Sequence, residues 1–543
     1  MTNVLLITPF NVPFKDIKDT LEIKRKIAPK YPVGLMCIGA YVKKKCPGTN
    51  VIMIVDYNVE MQRYFAHTKT RYLQNMLSYG LSLVPFYPDI IGISAMFDSN
   101  FTDMKGTVDY FKIRYPNSII VAGGHLASAC YKEFLAMGFD AVCYGEGELP
   151  MLGLAHACKN EFETYYMAES SAWVTRQKLK GNPEFKPVNS MIQNLDDIPP
   201  YDLSMLQWPE DYLNTNDDLF ALGTERHEKD IYMFATRGCP YHCIFCASQF
   251  VHGHKVRSYS SARIKHDILK YHFEYGITSF PFLDDHFLAD KEKALDILDF
   301  IEKNKFTCRI FNLNYIHVDR DIVQALKRTG SDRLLITLDG LDERFLRKVV
   351  RKPADFRKAK EVIRICRDEK IVVLANIIIG YPGETKEDIE NGAEAIAAMG
   401  ANWYSILVAA PLHGSELRKI CEEKGYLASE CENIRVDYYT ANIATPEFTP
   451  EWITKKAYEI NLDLNFVHNY DMSIGEYETP LKLFERVMEI EPNHAFAYLF
   501  AARCAREIGE KDYALGYEES YWDIWEKYPM WREWAEHFKL KEI

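Results

Sequence analysis

Three observations predict an α/β chain of several domains. Short apolar runs alternate with helically spaced stretches over residues 1–160, the same alternation returns over residues 229–425, and residues 426–543 carry helical spacing rich in Trp, Tyr and Glu. The pattern predicts an N-terminal doubly wound, Rossmann-like domain, a linker over residues 161–228, a partial (β/α)6 TIM-like barrel and a helical C-terminal domain.

In the first domain the strands are expected at Val4–Thr8 (VLLIT), Val51–Val55, Asp89–Ser94, Ser118–Ala122 and Ala141–Tyr144, with stretches such as GLMCIGAYVKKK as helices between them. Ligands of such sheets bind beyond the carboxyl ends of the strands, where this chain places Thr8-Pro9, Ser94 to Ser99, Gly123-Gly124-His125 and Gly145-Glu146-Gly147-Glu148. Taken singly, each glycine there is better explained by a tight turn. Prolines at 183, 187, 199 and 200 mark residues 161–228 as a linker.

In the second domain the strands are expected at Ile231–Thr236, Ser279–Leu283, Thr307–Leu313, Arg333–Leu338, Ile371–Ile379 and Trp403–Val408. Chemistry on a barrel of this kind sits at the carboxyl ends of its strands. In the tail, YETPLKLFERVMEIEPNHAFAYLFAARCAREIGEKDYAL has the spacing of one tetratricopeptide-like unit, too few for a free-standing solenoid, so the expected role is packing rather than protein binding.

Composition narrows the function classes. At about 150 residues per domain, a chain of 543 residues is several domains rather than one binding module. Hydrophobic residues at 48% and charged residues at 26% exclude a disordered or fibrous chain. Acidic residues outnumber basic ones 77 to 65, a net charge of -12 that gives no general attraction to nucleic acid. No run approaches the roughly 18 apolar residues of a membrane span, and MTNVLLITPF reads as a lead into a strand rather than a signal peptide, so a cytoplasmic protein is expected.

Of the 13 cysteines, ten are scattered and read as small buried hydrophobes, Cys431 among them. The other three, Cys239, Cys243 and Cys246, lie in ATRGCPYHCIFCAS directly after a predicted strand, spaced CxxxCxxC. Three thiolates on one short loop select zinc, Cu(I) or an iron-sulfur cluster. Structural zinc wants a fourth ligand, and His242 on the same tight loop would be strained in that role. A 4Fe-4S cluster on three cysteines keeps one iron open.

The spacing, with Phe245 before the last cysteine and Thr-Arg-Gly before the first, closely resembles that of radical S-adenosylmethionine enzymes. The resemblance implies that the open iron chelates S-adenosylmethionine, and that an electron from a flavodoxin- or ferredoxin-type donor cleaves it to a 5'-deoxyadenosyl radical. It further implies that Asp284 and Asp285 face the methionyl amine, although both could simply cap a helix. Asp339 falls where many members have a Glu contacting the cofactor. Asn376 and Gly380, in NIIIGYPGET, would lie beside the adenine with Tyr241 and Phe245.

The first domain resembles the cobalamin-binding subclass through KYPVGLMCIGAYVKKK, DIIGISAMFDSN, IIVAGGHLAS and DAVCYGEGE. On that resemblance Thr8, Ser94, Phe97, Gly123, Gly124, His125, Gly145 and Glu146 are the candidate cobalamin contacts. The chain reads ITPFNVPFKDI where many cobalamin domains carry DxHxxG, so no axial His comes from that motif. A scaffold that binds no corrin is the alternative for this domain.

The implied activity is methyl transfer to an unactivated carbon or a phosphinate phosphorus of a small molecule or peptide. A cobalamin-dependent radical cyclase or rearrangement enzyme is the rival, and a zinc-stapled binding protein is the reading from outside enzymology. Asn312, Asn314, His317, Tyr404 and His413 are candidates to shape the substrate pocket, and no residue is singled out as catalytic.

Overall fold

The computed structural model describes residues 2–14, 30–47, 49–68, 72–160, 162–213, 229–311, 313–428 and 441–540. The described residues fall into two units. Residues of Met1–Thr215, Glu228–Phe300 and Ala410–Asp437 form the first, and those of Ile301–Ala409 and Tyr438–Ile543 the second. The expected linker continues the first unit as far as it is described, and residues 214–228 lie outside the described residues.

The first unit is built on strands β1 (Thr2–Thr8), β2 (Thr49–Asp56), β3 (Ile90–Ser94), β4 (Ile119–Gly123), β5 (Ala141–Cys143) and β6 (Trp173–Val174), in the order β2-β1-β3-β4-β5-β6. The first five run parallel, with Ile7 opposite both Val55 and Ile93, and Ser94 opposite Gly123. Apart from the exposed Val51 and the half-buried Ile119, their Leu, Ile and Val side chains are buried on both faces, as in a sheet covered by helices on each side. Because the strands share one direction, the segments after Thr8, Ser94, Gly123 and Cys143 all emerge at one edge.

β6 adds an antiparallel edge strand from the segment expected as a tether. Trp173, Leu195 and Ile198 of that segment are fully buried, so its prolines mark turns on a packed surface rather than a free linker.

Also in this unit, β7 (Thr236–Arg237) and β8 (Arg257–Ser258) pair antiparallel, and β9 (Ser279–Phe282) follows. The strand expected over Ile231–Thr236 touches β9 through isolated bridges, Asp230 to Ser279 and Met233 to Phe282. Ile231 N donates to Ser279 O and Met233 N to Pro281 O, but Pro281 has no N–H to return to Ile231. The ladder is broken there.

In the second unit β10 (Thr307–Ile310) is followed by β11 (Arg333–Thr337), β12 (Val372–Ile379) and β13 (Trp403–Val408), the last three forming a parallel sheet in the order β11-β12-β13. Helices Pro450–Leu462, Glu478–Ile490, Ala495–Glu507, Lys511–Lys527 and Met530–His537 make up the tail. Phe466, Phe484, Phe496, Phe500 and Trp531 share one apolar core with Leu374 and Trp403, so the tail packs on this sheet.

Asn465 finishes that contact. Its amide accepts from Tyr404 N at 2.8 Å and donates to Tyr404 O at 2.8 Å, satisfying backbone of β13 that would otherwise be an open edge. Among the described residues no helix is long and apolar enough to cross a membrane.

Phe500 is 1% exposed at the centre of this core. Phe500→Ala is expected to destabilise the second unit by about 3–5 kcal/mol, read as a lower denaturant midpoint.

Candidate functional site

The cysteine loop hangs between β7 and β8. Arg237 and Arg257 face one another at its neck, and Cys239, Cys243 and Cys246 follow within the loop. Cys239 N reaches Gly253 O at 3.4 Å and Cys246 N bonds Cys243 O at 3.1 Å, folding the segment back on itself. The three cysteines are partly exposed, whereas Cys37, Cys46, Cys130, Cys143, Cys308, Cys366, Cys421 and Cys504 are buried. Cys431 lies outside the described residues.

Asp284 and Asp285, just past β9, are turned toward this loop. Asp284 accepts from Ala235 N at 2.9 Å and from the amide and hydroxyl of Thr236, the hydroxyl at 2.7 Å. Complete burial raises its carboxyl to about 7 despite these donors. Asp285 accepts from Gly238 N at 3.2 Å and from Ser248 Oγ at 2.6 Å, one partner on each side of the cysteines. The pair expected at the methionyl amine is therefore engaged with the backbone and hydroxyls that shape the loop. Tyr241 lies beside His286 with ring centroids 5.6 Å apart, and Phe245 is partly buried.

The donor set suits an iron-sulfur cluster: three thiols in eight residues, solvent access, and a loop anchored at both ends. Among the described residues no three His, Cys, Asp or Glu side chains are already gathered at one metal point, so binding would draw the thiols together.

At the carboxyl edge of the first sheet lies a cleft of about 200 Å³. Ser94, Gly123, Gly124, Gly145 and Glu146 line it from the sheet side, and Arg237, Val251 and His252 from the cysteine loop and its neck. It continues along the sheet face past Gly92 and Val121 to Met151. At Gly124, with φ +98°, a Cβ would come within 2.6 Å of Ala95 O, so backbone rather than side chain forms this wall.

Two buried polar atoms at the same edge, Thr8 Oγ1 and His125 Nε2, have no hydrogen-bond partner among the described residues. Burial lowers the pKa of His125, favouring a neutral ring. A glycine-rich wall fits a large flat cofactor, which backbone can approach closely. Of the expected contacts, Thr8, Phe97 and His125 are not among the residues lining the cleft, and Phe97 is 58% exposed.

Glu146 is both a wall of the cleft and the centre of an ion network. Arg257 donates to its two oxygens at 2.9 and 2.5 Å, and His252 Nδ1 lies 2.9 Å away. Burial would raise this carboxyl, but the hydrogen bonds from His252 and Arg257 and the charge of Arg237 outweigh it and hold the group at about 2.

In the second unit Asp339 adopts φ +59° just after β11, with Lys352 Nζ 2.7 Å from its carboxylate. Asn376 O accepts from both Leu338 N and Asp339 N at 3.0 Å. Gly380 N donates to Glu384 at 2.7 Å. Asp339, Asn376 and Gly380 thus share one end of the parallel sheet, and the sequence reading missed Lys352 as the partner of Asp339.

Of the substrate-pocket candidates, Asn312 lies outside the described residues. Asn314 accepts from Ile316 N in a turn that also contains the half-buried His317. Tyr404 is buried with its hydroxyl donating to Ile396 O at 3.0 Å. His413 pairs with Asp98 at 3.0 Å in the first unit. Arg237, Arg257, His252 and Asn189 also went unread; the Thr-Arg-Gly before Cys239 and the strand-end segment holding Glu148 were the visible signals.

The model of the Radical SAM superfamily matches residues 233–396, and that of the B12 binding domain matches residues 28–155. The cytidylyl-2-hydroxyethylphosphonate methyltransferase of Streptomyces wedmorensis is 24% identical over 475 residues, covering 80% of this chain and 86% of that protein. The anaerobic magnesium-protoporphyrin IX monomethyl ester cyclase of Cereibacter sphaeroides is 24% identical over 313 residues, 56% of this chain and 48% of that protein. The solved structure of the radical S-adenosylmethionine methyltransferase TsrM from Kitasatospora setae, with cobalamin and a 4Fe-4S cluster bound, shares the fold at a TM-score of 0.58 and 13% identity, covering 97% of this chain and all of that one (100%).

Two outcomes are expected. Asp285→Ala, which frees both Gly238 N and Ser248 Oγ, lowers the iron taken up on anaerobic reconstitution, and Ser248→Ala does so less, since hydrogen bonds to a charged group contribute about 1.5–3 kcal/mol each. Asp284, with a folded pKa raised to about 7, stays protonated while the unfolded chain ionises. Its contribution is complete at acid pH and is lost as pH rises from about 4 to 7. Asp284→Asn should flatten the fall in stability across that window, measured by denaturant titration at several pH values.

Proposed function

We propose that this chain, a member of the radical S-adenosylmethionine superfamily that carries a cobalamin-binding domain, is a methyltransferase acting on an unactivated carbon or a phosphinate phosphorus of a small molecule or peptide. One observation carries the reading: a single cleft is walled by strand-end glycines of the region matching the B12 binding domain and by Arg237, Val251 and His252 flanking the three-cysteine loop. A cofactor in that cleft would lie against the segment that holds the cysteines.

When bound, the cluster with S-adenosylmethionine supplies a 5'-deoxyadenosyl radical and cobalamin supplies the methyl group. Cys239, Cys243 and Cys246 would hold three irons, and Asp285 keeps the two legs of their loop together through Gly238 and Ser248. Asp284 holds the strand leading into it. Gly123, Gly124 and Gly145 give a wall that backbone can bring close to a flat ring, and the apolar run past Gly92 to Met151 excludes water. In the second unit Asp339, Asn376 and Gly380 would face S-adenosylmethionine, with Lys352 holding Asp339 in its left-handed conformation.

Methyl transfer is favoured over cyclisation because the methyltransferase relative aligns over 80% of this chain and the cyclase relative over 56%. A substrate bearing a carbon–phosphorus bond is in keeping with the relative that acts on a phosphonate. The net charge of -12 disfavours nucleic acid as substrate. A cytoplasmic setting and a flavodoxin- or ferredoxin-type donor complete the proposal, since the loop's thiols need reducing surroundings and the cluster a one-electron reductant.

The test is an anaerobic assay of protein reconstituted with iron, sulfide and cobalamin, with reductant, isotopically labelled S-adenosylmethionine and a metabolite extract. S-adenosylhomocysteine together with 5'-deoxyadenosine and a labelled methylated product is the expected result. Deoxyadenosine alone would favour the cyclase reading, and a colourless protein that takes up zinc in place of iron would overturn both.

A further inference from the structure

Arg237 and Arg257 are directly opposite one another in the β7–β8 pair that forms the neck of the cysteine loop. Like charges so placed repel, and these side chains are only 7% and 3% exposed, beyond the reach of screening water. Two carboxylates that follow β5, Glu146 in the loop and Glu148 at the first turn of the helix Glu148–Lys159, resolve the conflict. Glu146 takes both arms of Arg257 and stands 3.5 Å from Arg237, and Glu148 lies 2.8 Å from Arg237. The four charges cancel within one buried cluster.

The same loop is tied down by backbone. Gly145, at φ +82°, presses against Asn189 so closely that a Cβ would overlap it. Asn189 accepts from Glu146 N at 3.0 Å and donates to Val251 O at 2.7 Å, joining the carboxylate loop to the far leg of the cysteine loop. Arg237 stands two residues before Cys239, so the neck's buried charge lies next in the chain to the first thiol.

We propose that Glu146 and Glu148 are the counter-ions that close the neck of the cluster loop, so that assembly and reduction potential of the cluster depend on two carboxylates of the cobalamin-binding domain as well as on its cysteines. The proposal rests on the reading of this loop as the cluster site. Glu146 and Glu148 act as positioning residues through Arg237 and Arg257. Neutralising either leaves an uncompensated buried cation, which forces the neck apart. The surplus positive charge beside Cys239 also favours the more negative, reduced cluster and raises its potential.

The test uses full-length wild type, Glu146→Gln, Glu146→Asp and Glu148→Gln, each reconstituted anaerobically with iron and sulfide. Bound iron, the electron paramagnetic resonance spectrum of the reduced cluster and its midpoint potential are read. In Glu146→Gln bound iron should fall at least about threefold, with any remaining cluster reduced at a higher potential. Glu148→Gln should shift both in the same direction by less, and Glu146→Asp, which keeps the charge, should recover iron and potential.

Unchanged iron and potential in Glu146→Gln would overturn the proposal. So would an equal loss in Glu146→Asp, because shape rather than charge would then be responsible. If Glu146→Gln does not fold by circular dichroism, Glu148→Gln decides by the same criteria. A wild type that takes up no iron overturns the reading of the loop itself, and the proposal with it.

Discussion

Two guanidiniums buried face to face in a strand pair are stable only with anions between them, and much of the first unit is arranged around that electrostatic demand. It sets where the loop after β5 must lie, because Glu146 and Glu148 cannot reach Arg237 and Arg257 from anywhere else. It also sets one wall of the cleft, since the same carboxylates and Arg237 line it. A buried ion cluster adds little net stability over an apolar one. Its value here is register: a defined neck for a loop whose thiols must meet a metal.

The directional logic of the first sheet was legible in the sequence because each strand is a short, continuous apolar run buried on both faces. VLLIT, VIMIV and DIIGIS could be placed within a residue or two, and their shared direction put the glycine-rich ends at one edge. The run over Ile231–Thr236 reads as an equal strand yet forms a broken one, for the missing donor is on Pro281, about fifty residues away. Residues 161–213 misled in the opposite sense. Their prolines signal irregular backbone, which is present, but irregular backbone can still bury Trp173, Leu195 and Ile198.

At the site, spacing made the cysteines readable and nothing local made their supports readable. Asp284 and Asp285 were visible as a polar pair at a strand end, but whether such carboxylates face a ligand, a helix or a loop depends on which amides arrive from Ala235, Thr236 and Gly238. Glu146 was visible as a cleft residue, whereas its partner Arg257 is more than a hundred positions distant and carries no motif. Lys352 is similar: only the register of β11 and the turn at Asp339 bring it to bear. Pairwise electrostatics between remote segments is what periodicity and spacing leave unwritten.

A shared set of counter-ions also limits how these halves can evolve or be exchanged. A sheet grafted in from a protein that lacks acids at these two places would leave the arginines of the recipient stranded in a dry interior. Drift on one side must be answered on the other, so the carboxylates and guanidiniums should change together across descendants, as matched halves of one lock rather than as interchangeable cassettes.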